Sequence, residues 1–264
     1  MQGQGNCKAK REDTMKTVVL TGASSGIGYA AAKRFAAEGW RAVLMARRGA
    51  LLREIAEDLP GGEARHPVVA GDYAEEETMR RLNEELEKRG IATVDALVNC
   101  AGVSMTDPVL DSPFERWRKP LDVMLDGAIR VTRAVARMRE GGRIVHVTSI
   151  HARRAERGSS AYGIAKAAIE QFCRGLALEL ADRGILANSV APGFVDTPMS
   201  SAAGSSELET EWFRQNYVAG RHLPLRRAGK PEEIAGAIFF LCGPDAAYIT
   251  GHTLTVDGGL TITF

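Results

Sequence analysis

The sequence predicts an α/β fold, a doubly wound parallel sheet with helices on both faces, formed by a single domain. Three observations predict it. Short β-branched or apolar runs alternate along the chain with longer amphipathic ones. The short runs are nearly continuous in apolar residues, the pattern of strands covered on both faces. A glycine-rich turn, Thr21-Gly22-Ala23-Ser24-Ser25-Gly26-Ile27-Gly28, joins the first strand to the first helix, and a doubly wound fold binds its ligands at such strand ends.

The elements follow in order. Residues 1–15 are polar and glycine-rich and read as a mobile tail; residues 16–264 make the domain. Thr17–Leu20 reads as a strand and Gly28–Gly39 as a helix with alanines and Phe35 on one face. Arg41–Met45 is the next strand, Ala50–Leu59 a helix, Pro67–Ala70 a strand and Glu75–Arg89 a charged helix. Val94–Val98, Arg143–Thr148 and Ile185–Val190 are further strands, separated by helices over Pro113–Arg139 and Ala161–Ala181. For the first of these, Ser112 is the expected N-cap, Pro113 the first helical residue and Glu115 the capping-box partner. No internal repeat or linker divides the chain.

Composition narrows the function. Hydrophobic residues make up 45% and charged residues 25%, the balance of a soluble globular chain. Thirty-four basic against 33 acidic residues give a net charge of +1, so no global field draws nucleic acid or an anionic membrane. Cys7, Cys100, Cys173 and Cys242 form no C-x-x-C pair and no zinc-spaced cluster. They read as free thiols in a reducing compartment, with no metal. No apolar run approaches the ~18 residues of a membrane span, and no secretory signal is evident. These features predict a cytoplasmic protein.

The chemistry lies in two clusters. In the turn, glycines let the backbone approach a pyrophosphate, and the helix N-terminus offers N–H groups and partial positive charge to it. In such folds an acidic residue about 20 positions on holds a ribose 2′-hydroxyl. Here Ala46 falls at that point and Arg47 and Arg48 follow. Two guanidiniums suit a 2′-phosphate, so the sequence predicts NADP(H) rather than NAD(H). In the second cluster Tyr162 and Lys166 stand at i and i+4, on one helix face. A neighbouring ammonium is expected to lower the phenol pKa towards neutrality, giving a general acid/base for an alcohol or carbonyl.

Together with Ser149, 13 residues before Tyr162, these clusters resemble the short-chain dehydrogenase/reductase family, whose fold is Rossmann-like. Asn99-Cys100-Ala101-Gly102, Pro192-Gly193-Phe194-Val195-Asp196-Thr197, Arg227 to Ala235, and Thr250 to Gly259 are similar to its other signatures, in order and with family spacing. The resemblance implies hydride transfer between NADP(H) and a small carbonyl or alcohol. Tyr162 would be the acid/base, Lys166 would hold the nicotinamide ribose, and Ser149 would bond the substrate oxygen. Gly22, Ser24, Ser25, Gly26, Ile27 and Gly28 would line the pyrophosphate and ribose. Asp72 would accept from the adenine amino group, Asn99 and Ala101 would border the adenosine, and Val195 and Thr197 would hold the carboxamide. Gly102, Thr148, Pro192 and Gly193 complete the cofactor set.

The chain departs from the family at Met124, where an asparagine that breaks the helix and holds a relay water is usual. A thioether cannot replace the amide. Pro120, one turn earlier, is expected to kink the helix and expose carbonyls near Arg116. Met105, His151, Phe194 and Met199 are expected to border the substrate pocket. Residues 197–225 form a long segment whose aromatics, Trp212, Phe213 and Tyr217, are either a lid or a helix core face. Ketoacyl-carrier-protein reduction and sugar or polyol oxidation remain open as substrate classes. Arg133 would suit a carrier protein, but Leu178 stands where a second basic residue would help. A weakly catalytic NADP(H)-binding sensor is the reading that Met124 favours. The family resemblance implies a homotetramer, with a homodimer as the smaller option, and the apolar stretch Leu260 to Phe264 is consistent with a buried tail in such an assembly.

Overall fold

A computed structural model describes residues 15–104, 106–135, 138–201 and 207–263. The expected tail (apart from Met15), Cys7, Met105 and Phe264 lie outside the described residues. Seven strands form one sheet: β1 (Thr17–Thr21), β2 (Arg41–Ala46), β3 (Val68–Ala70), β4 (Val94–Asn99), β5 (Met138–Val147), β6 (Leu186–Pro192) and β7 (Thr253–Val256). Their order is β3-β2-β1-β4-β5-β6-β7, and every neighbouring pair is parallel. β1 pairs with both β2 and β4, so the winding direction reverses there and opens a crevice at the strand C-termini.

The helices are α1 (Gly26–Ala37), α2 (Gly49–Asp58), α3 (Gly62–Arg65), α4 (Glu76–Lys88), α5 (Phe114–Pro120), α6 (Gly127–Ala134), α7 (Ser160–Glu179), α8 (Glu211–Phe213) and α9 (Pro231–Cys242). Alternate strand residues face opposite ways, so each strand contributes to two cores. Val18, Leu20, Ala42 and Leu44 pack with Phe35 of α1, Ile55 of α2 and Ile238 of α9. Val19, Val43 and Leu97 pack with Leu82 of α4, Val131 of α6 and Leu176 of α7. Each fully buried Leu or Val contributes roughly 1.5–3 kcal/mol, which is why β1 reads as a continuous apolar run.

The Pro113–Arg139 helix differs most from expectation. Pro113, with φ −55° and ψ 135°, is itself the N-cap, and helix α5 starts at Phe114 without a side-chain cap. Ser112 is occupied elsewhere: its hydroxyl donates to Asp107 Oδ1 at 3.3 Å. At Pro120, where a kink exposing carbonyls near Arg116 is expected, the helix passes directly into a π-helical turn over Leu121–Asp126. Proline has no N–H with which to close the bond one turn back, and the helix widens there before α6 resumes. The helix ends at Ala134, and Met138 already belongs to β5. Pairing of Met138 with Val94 draws these residues into the sheet, with a register shift before Ala96 meets Arg143.

Candidate active site

The glycine turn is held by close packing. Gly22 has φ +68°, and a Cβ there would fall 2.9 Å from the Ala101 backbone. A Cβ on Gly28 would fall 2.3 Å from the Gly22 carbonyl oxygen. Ser25 caps α1 in an extended conformation without a side-chain bond, leaving the helix N-terminus to a ligand. A cavity of about 510 Å³ opens here, bordered by Gly22, Ser24 to Gly28, Arg47, Arg48, Asp72, Ala101 and Gly102. Arg48 arches over the turn: Nη2 donates to Ser24 Oγ at 3.0 Å and to the Ser24 carbonyl at 3.3 Å.

A second cavity of about 380 Å³ lies at the ends of β5 and β6, bordered by Thr148, Ser149, His151, Tyr162, Lys166, Pro192 to Val195 and Thr197. Ile27, Cys100, Gly102, Thr197 and Met199 border both cavities, so they form one continuous cleft. One end offers a helix N-terminus and two guanidiniums for phosphates, and the other offers proton-transferring side chains.

Ser149 ends β5 and starts a 3₁₀ turn over Ile150–Ala152; its hydroxyl accepts from the His151 N–H at 3.2 Å. Helix α7 presents Tyr162 and Lys166 towards it. Lys166 is buried, donates from Nζ to the Val147 carbonyl at 2.9 Å, and lies 5.6 Å from the Tyr162 ring centre. Burial lowers Lys166 to about 8. The expected effect on Tyr162 is not seen. Burial raises its phenol pKa, a hydrogen bond with Ser149 opposes the rise, and the Glu156 carboxylate adds to it. Lys166 is not among the groups that shift it; its ammonium lies over the ring, 5.6 Å from the ring centre.

Most of the expected residues meet in the cleft. Asn99 does not line it: its Oδ1 accepts from Thr21 Oγ1 at 2.5 Å, tying β1 to β4 from within the sheet. His151 stands edge-on to Tyr162, with ring centres 5.7 Å apart. Phe194 packs at 5.0 Å from Phe213 and 4.7 Å from Tyr217, so these aromatics form a cluster behind the pocket while Trp212 stays exposed. Sequence reasoning missed Glu156, which accepts from Ser159 Oγ at 3.0 Å and lies 3.5 Å from His151 Nδ1, a contact without hydrogen-bond alignment. It also missed Tyr73. Neither residue carries a spacing or periodicity that marks it. Cys100, Cys173 and Cys242 are free, as expected, and burial pushes the Cys100 thiol up to about 12. Among the described residues no cluster suited to a metal occurs and no helix is long and apolar enough to cross a membrane.

Known proteins match this arrangement along nearly the whole chain. The family described as Enoyl-(Acyl carrier protein) reductase matches residues 22–261. Glucose 1-dehydrogenase of Gluconobacter oxydans is 38% identical over 94% of this chain and 92% of its own. The 3-oxoacyl-[acyl-carrier-protein] reductase of Synechocystis is 35% identical over 94% and 98%. The crystal structure of a glucose/ribitol dehydrogenase from Brucella melitensis superposes with a TM-score of 0.83 at 32% identity, covering 93% of this chain and 96% of that one. With its sheet order, glycine turn and Ser149–Tyr162–Lys166 grouping, the chain belongs to the short-chain dehydrogenase/reductase family of oxidoreductases.

Proposed function

We propose that this chain is an NADP(H)-dependent oxidoreductase acting on a small polyhydroxylated carbonyl or alcohol, with Tyr162 as general acid/base. The observation that carries this reading is the continuous cleft, with Arg47 and Arg48 at one end and Ser149, Tyr162 and Lys166 at the other. Bound nicotinamide supplies or accepts the hydride. Arg47 and Arg48 grip the 2′-phosphate, Asp72 accepts from the adenine, and the glycine turn receives the pyrophosphate. Lys166 bonds the nicotinamide ribose, while Val195 and Thr197 hold the carboxamide. Ser149 donates a hydrogen bond to the substrate oxygen, and the Tyr162 O–H gives its proton to that oxygen on reduction or regains it on oxidation.

The substrate class follows from the second cavity. Besides the reacting residues it presents Ser104, Thr106, His151, Glu156 and Ser159. A carboxylate accepts charge-assisted bonds from hydroxyls and contributes nothing to an acyl chain. Leu178, 83% exposed on α7, offers no charge to an acidic carrier protein. Relatives named for galactitol and meso-2,3-butanediol stand beside others named as 3-oxoacyl-[acyl-carrier-protein] reductases, so the preference rests on the cavity. The grouping of Ser149, Tyr162 and Lys166 disfavours a binding-only sensor, which needs no proton donor. We also propose that residues 16–264 act as one domain in a cytoplasmic homotetramer, for which exposed Phe114, Leu178, Tyr248 and Ile262 supply apolar surface.

The test is oxidation of NADPH and NADH with paired ketoses and their deoxy ketones, for the wild type, Tyr162→Phe and Arg47→Asp. Loss of the general acid lowers turnover about 10²- to 10⁴-fold. Arg47→Asp swings preference towards NADH. The cofactor assignment fails if no swing occurs, and the oxidoreductase reading fails if Tyr162→Phe turns over as fast as the wild type.

A further inference from the structure

Tyr73, just past β3, borders the first cavity and is buried among the elements that build the cleft, yet it has no role in the chemistry described so far. Its hydroxyl lies 3.3 Å from the Ala101 carbonyl oxygen and 3.5 Å from that of Met124. The first carbonyl belongs to the exit of β4 and the second to the π-helical turn. The ring lies on Gly127, where a Cβ would fall 2.4 Å from Tyr73 Cε2. Ala101 is also held from its other side, because its N–H donates to Thr21 Oγ1 at 3.1 Å.

The next residue, Gly102, is where the clamp reaches Lys166. A Cβ at Gly102 would lie 3.4 Å from Met124 Sδ and 3.6 Å from Lys166 Nζ. The thioether and the ammonium therefore both border Gly102, the residue after Ala101. A thioether donates no hydrogen bond, so Met124 cannot itself tie the helix to the β4 exit; the phenol reaches the same gap from β3. Burial holds that phenol above its ordinary pKa, so it stays a donor across the working pH range.

We infer that Tyr73 is a positioning residue for Lys166: its single O–H proton, shared between the Ala101 and Met124 carbonyls, links the β4 exit to the π-helical turn and so positions Gly102, which the ammonium borders. The inference rests on the proposed role of Lys166 at the cofactor ribose. The titratable groups around Lys166 are Tyr162 on its own helix, Cys100 at the β4 exit and His146 on β5.

The experiment measures NADPH affinity by cofactor fluorescence from pH 6 to 10, with kcat and thermal melting, for the wild type, Tyr73→Phe and Lys166→Met. Tyr73→Phe removes only the hydroxyl. It should move the pH inflection of NADPH binding and lower kcat about tenfold. A lower melting temperature with inflection and kcat unchanged overturns the inference. Lys166→Met separates the two levels. If it leaves NADPH affinity intact at every pH, the cofactor role of Lys166 fails and this inference with it. If it removes the inflection while Tyr73→Phe does not move it, only the role of Tyr73 fails.

Discussion

At Tyr162 the proton is held by unequal neighbours. Burial and the Glu156 carboxylate raise the phenol pKa, and Ser149 alone opposes them. A raised pKa keeps the acid form to higher pH, so carbonyl reduction should stay flat through neutrality and fall only on the alkaline side. Alcohol oxidation needs the phenolate and should rise over the same range. Glu156→Gln removes a negative charge, so both transitions should move to lower pH; a shift to higher pH in the pH–rate profiles would show that the carboxylate does not act on Tyr162. Tyr162 and Lys166 were legible because both lie on one helix face four residues apart. Tyr73 and Glu156 were not: Tyr73 meets Met124 across 51 residues of chain, and Glu156 lies in an irregular loop without periodicity. The i,i+4 spacing puts Tyr162 and Lys166 on one face but does not encode the burial that raises the phenol.

At the level of elements, the β1 turn and α1 form a single packed unit. Gly28→Ala places a methyl 2.3 Å from the Gly22 carbonyl oxygen, and the backbone must give way. The expected loss is about 1–3 kcal/mol of stability, together with weakened NADPH binding, since the helix start moves. Gly175→Ala on α7 meets nothing within 4 Å and should instead gain about 0.4–1 kcal/mol. Urea unfolding and NADPH titration of the two variants check the contrast, and equal effects would contradict it. The alternation of strands and helices, and with it the fold, was legible because short, nearly continuous apolar strands stand apart from longer amphipathic helices. The π-helical turn was not, because proline marks only where a bond is lost and the surrounding packing decides how the helix adjusts. The start of β5 at Met138 depends on a register with β4 that no local pattern encodes.

Across the whole molecule, acid stability should be set by two histidines inside the fold. His146, beside Asn99 in the sheet, is lowered to about 4 by burial. His66 is lowered for the same reason, and its Nδ1 accepts from the Ala42 N–H at 3.1 Å, which requires the neutral ring. Unfolded histidines take up protons below about 6.5, and these two resist doing so while folded. Their effect is absent above that pH, and stability falls as pH drops towards 4, by about 3 kcal/mol for His146 alone. The urea midpoint measured from pH 7 to 4.5 should therefore decline, and His146→Asn should flatten the decline in part; an unchanged slope would show that His146 is not its source. The sheet order also bears on how the protein is made. β1 lies between β2 and β4, and its bond from Thr21 to Asn99 spans 78 residues. During synthesis β1 emerges long before β4, so a nascent chain carries an apolar strand with one edge unpaired until more than a third of the protein has been translated. Ribosomal pausing within the α4 region would prolong that exposure, and chaperone demand during translation should peak there.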